Sequence, residues 1–400
     1  MFSEIAIAYP EMRQMITKAD NVMIAEKGTP ISELVYPNVL TDEEKTKAQE
    51  ALQQTVNTQP VLAALEAGLY EVAKKRGLKA DMFIGHSFGE LVALWADGAW
   101  TFETLIRSAK ERGSSMGKVT GNMAMFAVMA DKATVQKYTE GFKKVYVANE
   151  NSPSQTVVSG DAKQMEELEK KLLADDIKAV KLKVSGAFHS PYMEEAGKEF
   201  KTFLEKQKIK RSAGKVIANY NGKLYPQNNP KVVVDLLQKQ LINPVLFQTS
   251  VETAYEKGAR VFVEVGNGKV LANLTKDILG EKEHEVIALC PEKNKDCATQ
   301  FEFAIARLAV LGFDVKEDSY RILPNEELVP KKTKTSYSVP EDIFLLPNKQ
   351  KMLKEAKAPD VEATKKNLES MAKAAAKAGI SVTGASESVQ AKTTSVQTVA

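Results

Sequence analysis

Four hundred residues with 44% apolar and 27% charged side chains have the composition of a globular chain of two or three domains. The 55 Lys and Arg residues against 52 Asp and Glu leave a formal charge of +3, which argues for no nucleic-acid surface and no membrane surface. Two cysteines, Cys290 and Cys297, fit neither a zinc pattern nor a disulfide framework, so no metal site is expected and a reducing, cytoplasmic location is. No apolar run approaches the ~20 residues of a spanning helix, and Met1-Phe2-Ser3-Glu4-Ile5 lacks the basic start of a signal peptide.

Residues 1–80 read as helical. Thr41 ahead of Asp42, Glu43 and Glu44 is a cap with acids in the first turn. From Gln59 to Arg76, Leu62, Leu65, Leu69 and Val72 recur at helical spacing up to Gly77. Phe83-Ile84-Gly85-His86-Ser87-Phe88-Gly89-Glu90 then runs from an apolar strand through a serine between two glycines into a helix. That is the context of a nucleophile elbow, where a sharp turn exposes the serine hydroxyl above a sheet. Gly85 and Gly89 would remove β-carbons that collide there. The helix N-terminus and the Phe88 N–H would face an oxyanion formed at Ser87. Ser87 and Glu90 also fit a capping box, Ser-x-x-Glu before an apolar run, so this stretch alone leaves both readings open.

Gly98 closes that helix and Thr101 caps the next, from about Phe102 to Met116. At ~100° per residue, Leu105, Ala109, Arg112 and Met116 share one stripe. An arginine on an apolar face is costly unless paired. It either snorkels past the core edge, pairs with a structural acid, or receives an anion.

Residues 120–186 change character. Met123–Met129, Val145–Ala148, Thr156–Ser159 and Ala179–Val184 read as strands, with helices over Lys132–Phe142 and Met165–Leu173 and a polar loop over Asn149–Pro153. The order β-α-β-β-α-β is the ferredoxin-like pattern, inserted into a larger α/β unit. The loop Ser185-Gly186-Ala187-Phe188-His189-Ser190-Pro191 leads into a helix from Tyr192. Val216–Asn219 is a strand ahead of an Asn221-Gly222 turn, and Val232–Leu241 and Phe247–Lys257 are helices separated by Asn243-Pro244. Arg260–Gly266 fits a buried parallel strand, Val270 begins a helix, and Ala304–Leu311 is the last one. Residues 321–400, Lys-rich, then Ser/Thr/Ala-rich and broken by Pro340, Pro347 and Pro359, read as a largely flexible linker with a solvated helix over 361–378.

A serine nucleophile needs a base, usually histidine. His284 lies in a solvated charge run, and the side chain of His86, adjacent to Ser87, points away from it. His189 remains.

Four motifs carry a resemblance: Gly85-His86-Ser87-Phe88-Gly89-Glu90, Arg112-Gly113 with Met116, Gly186-Ala187-Phe188-His189-Ser190-Pro191, and Glu264-Val265-Gly266-Asn267-Gly268-Lys269-Val270-Leu271. Their order resembles that of malonyl-CoA:acyl carrier protein transacylases, including the acyltransferase domains of fatty acid and polyketide synthases, over about residues 1–315. The texture looks most like such a domain of a multidomain polyunsaturated fatty acid synthase. The resemblance implies an α/β-hydrolase-like parallel-sheet core over 1–119 and 187–320 with a ferredoxin-like insert over 120–186. Ser87 would carry malonyl as an ester, with His189 as general base and then acid. Arg112 would grip the malonyl carboxylate with its bidentate fork. Phe188 (malonyl-type; methylmalonyl-type domains usually carry serine) and His86 would line the substrate site, and the Gln240 backbone carbonyl would orient His189. No cofactor would be bound. The substrate would be a coenzyme A thioester, and the partner a phosphopantetheine-bearing acyl carrier protein on the same polypeptide.

One departure stands out. The family begins with a strand and a Pro-Gly-Gln-Gly motif whose glutamine helps form the oxyanion hole. Ile5–Met12 resembles the helix that follows that motif, so the expected core lacks the usual N-terminal strand and the sequence reads as a piece of a longer polypeptide. Two other readings stay open: a serine hydrolase or thioesterase, which would be expected to carry an acidic third member, and a non-catalytic docking domain of a megasynthase.

Overall fold

The helix Thr55–Lys75 is the backbone of the larger part of the molecule. In the computed structural model, which describes residues 1–184, 186–210, 214–227 and 229–316, it follows helices Ser3–Ala8, Pro10–Ala25, Ile31–Val35 and Asp42–Gln53. Leu65, Leu69 and Val72 of the expected stripe are buried, and Ala63, Ala64 and Ala67 widen the face. Truncating either leucine to alanine costs ~2–5 kcal/mol. The small residues let Pro10–Ala25 lie close, since a β-carbon on Gly68 would run into Met12. Asp42–Gln53 opens on a complete capping box between Thr41 and Glu44.

Ten strands appear among the described residues: β1 Phe83–Ile84, β2 Met123–Val128, β3 Val145–Ser152, β4 Gln155–Asp161, β5 Ala179–Lys181, β6 Val216–Ala218, β7 Lys223–Leu224, β8 Val245–Leu246, β9 Val261–Asn267 and β10 Glu285–Cys290. With the helices they make a mixed α/β fold. β1 lies parallel to β6, which pairs antiparallel with β7, while β9 and β10 form a separate parallel pair. The larger part thus holds two short sheets where one parallel sheet was expected, with β1 and β9 each at an edge. β1 has room for only two residues before Gly85 turns out of it.

The remaining strands run β5-β2-β4-β3-β8, antiparallel except where β8 joins β3. Alternation along β2 sorts the two faces. Ala124, Phe126 and Val128 meet Val135, Met165 and Leu168 of the two helices Lys132–Thr139 and Ala162–Ala174 in a core of their own. Met125 and Ala127 face the other way, with Ala148, Val157 and the ring of Phe188. That second face brings the small sheet against the His189 loop.

Asn149–Ser152, expected as loop, extends β3 to a tight hairpin. Composition reads these polar residues as exposed, but Asn149, Asn151 and Ser152 are buried and Asn149 and Glu150 pair with β8. The last helix begins at Cys297 rather than Ala304 because Asp296 caps the Ala298 and Thr299 N–H groups. The cysteine expectation is corrected. Six residues return the chain from β10 to that helix, the Cα atoms of Cys290 and Cys297 lie 5.3 Å apart, and the two are disulfide-bonded. A local bridge of this kind has no sequence signature beyond the pair itself. No helix among the described residues is long and apolar enough to cross a membrane. The expectations for residues 321–400 lie outside the described residues.

Candidate active site

β1 ends at Ile84, and the chain turns at Ser87 before the helix Gly89–Ala96. Ser87 has φ +52°, a left-handed conformation that costs a non-glycine residue ~1–3 kcal/mol. The structure holds the strain with Asn219, just past β6. Its Oδ1 accepts from the Ser87 N–H at 2.7 Å and its Nδ2 donates to the Gly85 carbonyl at 2.7 Å, clipping the turn at both ends. A β-carbon on Gly85 would run into the backbone of Gly89 and Glu90, so that glycine is required. Gly89 faces open space, and the collision expected there does not exist. The capping-box reading also falls: the Ser87 side chain caps nothing, and the Glu90 carboxylate turns inward.

Ser87 Oγ lies 2.6 Å from His189 Nε2. His189 Nδ1 is 2.8 Å from the Gln240 carbonyl. A carbonyl only accepts, so Nδ1 carries the proton and Nε2 is the lone-pair nitrogen facing the serine hydroxyl. Burial first, then the charge of Arg112, push His189 down to about 3, against the Gln240 hydrogen bond. The imidazole is therefore neutral at pH 7, the state a base requires.

Arg112 comes from the helix Phe102–Gly117 and is 1% exposed, which excludes snorkelling. Its Nη1 donates to Gln59 Oε1 at 3.0 Å, and its Nη2 donates to Gln240 Oε1 at 3.1 Å and to Ser87 Oγ at 3.2 Å. All three acceptors are neutral, and its Nε has no partner. Burial pushes the group down to about 10, with Glu90 opposing, so it stays a cation at pH 7. Among the described residues the guanidinium is therefore buried, cationic and one hydrogen-bond partner short, beside the serine–histidine pair.

Phe88 opens the helix, and among the described residues nothing accepts from its N–H. Phe188, partly buried, lies on the small sheet beside His189. His86 stays outside the hydrogen-bonded cluster. Its Nε2 meets Asn151 Oδ1 at 2.9 Å and its ring packs edge-on to Phe247. The fourth motif is elsewhere: Glu264 caps the helix Val270–Leu279 through the Leu271 and Ala272 N–H groups.

Sequence reasoning missed the side chains of Gln59, Asn219, Tyr225 and Gln240, and the inward turn of Glu90. A signal existed for two of them. Gln59 precedes the apolar run Pro60–Ala64, and Gln240 sits among Leu236, Leu237 and Leu241, the same polar-in-apolar anomaly that marks Arg112.

The acyl transferase domain family matches residues 7–315. Over 328 residues the chain is 30% identical to a polyunsaturated fatty acid synthase polypeptide of Thraustochytrium sp., covering 79% of this chain and 12% of that one. It is 32% identical over 288 residues to the malonyl CoA-acyl carrier protein transacylase of Bacillus subtilis, covering 70% and 86%. The chain spans 31% of a second relative, the Bacillus subtilis polyketide biosynthesis protein PksE. Among solved structures, the acyltransferase domain from the second module of the salinomycin polyketide synthase superposes with a TM-score of 0.72 at 25% identity, covering 83% of this chain and 75% of that one. The malonyl CoA-acyl carrier protein transacylase of Clostridium perfringens gives 0.68 at 26%, covering 78% and 94%.

Proposed function

Since the chain belongs to the acyl transferase domain family and is an acyltransferase, we propose that it moves malonyl from coenzyme A to the phosphopantetheine thiol of an acyl carrier protein through an ester on Ser87. Ser87 Oγ attacks the thioester carbonyl while its proton passes to His189 Nε2. The oxyanion faces the Phe88 N–H and the helix N-terminus. The carbon–sulfur bond breaks, and the coenzyme A thiolate takes the proton from His189. In the second half the carrier thiol gives its proton to His189, its sulfur attacks the ester, and Ser87 Oγ leaves with the proton. The Gln240 carbonyl keeps Nδ1–H in place throughout.

The observation that carries the malonyl assignment is Arg112: buried, cationic, bound only to neutral acceptors and within 3.2 Å of Ser87 Oγ. A carboxylate at the far end of a short acyl chain satisfies it, and an acetyl group leaves it unpaired. Phe188 and His86 would line the acyl pocket. A hydrolase is disfavoured because His189 Nδ1 faces a carbonyl rather than a carboxylate. We read β2–β5 as a ferredoxin-like insert over 120–186 within a core of 1–119 and 187–320. The order β5-β2-β4-β3 is fourth-first-third-second for a β-α-β-β-α-β unit, and its own apolar core supports the division. The carrier would sit on the same polypeptide, where tethering raises its effective concentration. Incubation with malonyl-CoA and a holo carrier protein tests the reading. Malonyl-carrier should outpace free malonate; the reverse would identify a hydrolase.

A further inference from the structure

Glu90 follows Ser87 by one helical turn, yet its side chain is 0% exposed. A carboxylate out of water is tolerated only when its oxygens are satisfied. Oε2 accepts from the Asn219 N–H at 3.0 Å and from Gln240 Nε2 at 2.9 Å, and Oε1 accepts from the Tyr225 hydroxyl.

The donors matter for where else they reach. Asn219 also holds the Ser87 N–H and the Gly85 carbonyl. Gln240 holds His189 Nδ1 with its backbone carbonyl, Arg112 with its side-chain oxygen and the Ser87 carbonyl with its side-chain nitrogen. The amide of Gln240 stands between a group that only donates, Arg112, and one that only accepts when ionised, Glu90. Arg112 on one side and two acceptors on the other, the Glu90 carboxylate and the Ser87 carbonyl, fix which way the amide points. Without Glu90 the Gln240 Nε2 keeps only the Ser87 carbonyl, and the side chain whose backbone carries the His189 acceptor loses one of its anchors. Burial is the largest effect and leaves the Glu90 carboxyl above the usual carboxylate range, with its three hydrogen bonds and the Arg112 charge opposing.

We propose that Glu90 is a positioning residue for acyl transfer. Its carboxylate fixes the Gln240 amide and the Asn219 backbone, and through them His189, Arg112 and the Ser87 elbow, without touching the acyl group. This role rests on the acyl-transfer reading of Ser87. Small displacements are costly in such a site, since ~1 Å of misplacement can cost about a hundredfold.

The test uses the full chain with Glu90→Ala and Glu90→Gln. Active sites are titrated to completion with a fluorophosphonate probe, and rate constants are taken per titrated site. Glu90→Ala should lower the malonyl-ester rate constant by at least about tenfold with KM changed less than about threefold, since Arg112 keeps its separate bond to Gln59. Glu90→Gln, which can keep an oxygen toward Asn219 and Gln240, should recover most of the loss. A purely structural glutamate would give fewer titratable sites with an unchanged rate constant, and that result overturns the role. If Glu90→Ala does not fold, Tyr225→Phe decides. A fall of about threefold or more per site supports the role, and a wild-type rate constant overturns it. If wild type reacts with the fluorophosphonate at Ser87 but takes no malonyl, the functional reading fails. The labelling rates of the variants then still decide Glu90 by the same criterion.

Discussion

Arg112→Ala separates the anion-receptor reading from a structural one. In the wild type the guanidinium is buried, carries a free Nε–H and is hydrogen-bonded only to neutral oxygens. A malonyl carboxylate brought beside it completes a buried charge pair. Breaking such a pair leaves a desolvated carboxylate and costs ~3–5 kcal/mol, which at ~1.4 kcal/mol per decade is about a hundredfold to several thousandfold in the rate of ester formation. Acetyl loading runs the other way. Acetyl leaves the wild-type cation unpaired, so the substitution removes that penalty, and it also removes the charge that helps hold His189 down. Acetyl-ester formation should therefore hold steady or rise. The variant pays in stability, because the buried Gln59 and Gln240 oxygens lose a donor at ~1–3 kcal/mol each. Cooperative thermal unfolding must be checked first. The assay is a time course of intact mass with malonyl-CoA and acetyl-CoA on one preparation. Equal slowing of both thioesters would refute the receptor and leave Arg112 as a packing element.

The other expectations are narrower. His189, held near 3 in the fold against about 6.5 unfolded, takes a proton in the unfolded chain first, so the native state loses stability as pH falls below 6.5. Between pH 6.5 and 5, wild type should lose about 1.5 kcal/mol more than His189→Gln in urea unfolding, and equal losses would mean that the fold does not hold the imidazole below its ordinary value. Asn219→Ala removes both side-chain bonds that clip the strained elbow and should lower unfolding free energy by ~1–3 kcal/mol while slowing fluorophosphonate labelling of Ser87. An unchanged labelling rate would show that the turn holds itself. Phe188→Ser opens space beside His189 and should raise the methylmalonyl-to-malonyl loading ratio by about fivefold to a hundredfold, since one methylene is worth ~1–3 kcal/mol of discrimination. An unchanged ratio would place the selectivity elsewhere.

What was legible in the sequence was local or periodic. The strand, serine turn and helix around Ser87 are marked by neighbouring residues, although Asn219 holds the turn, and Arg112 announces itself by breaking a helical stripe. The apolar run of β2 and the periodic helix that ends at Gly77 read the same way. What was not legible depended on distant partners. Ser87 and Glu90 satisfy a capping pattern by spacing, but three donors from Asn219, Tyr225 and Gln240 draw the carboxylate inward, and no local rule contains them. Asn149–Ser152 is polar and so reads as loop, yet pairing with β4 and β8 buries it. Two cysteines match no zinc or disulfide framework, and whether they bridge depends on where six intervening residues place two Cα atoms. His189 was reached by elimination. Its acceptor at Gln240 came from the resemblance, since a backbone carbonyl leaves no mark on residue type.

Ser87 as the acyl carrier is the claim on which the rest depends, and the mass of the protein tests it directly. Mixed with malonyl-CoA and quenched in acid, the wild-type chain should gain the mass of one malonyl group, located to the peptide that contains Ser87, and Ser87→Ala should gain none. No adduct on the wild type under conditions that support transfer, or an adduct that survives in Ser87→Ala, would contradict the account.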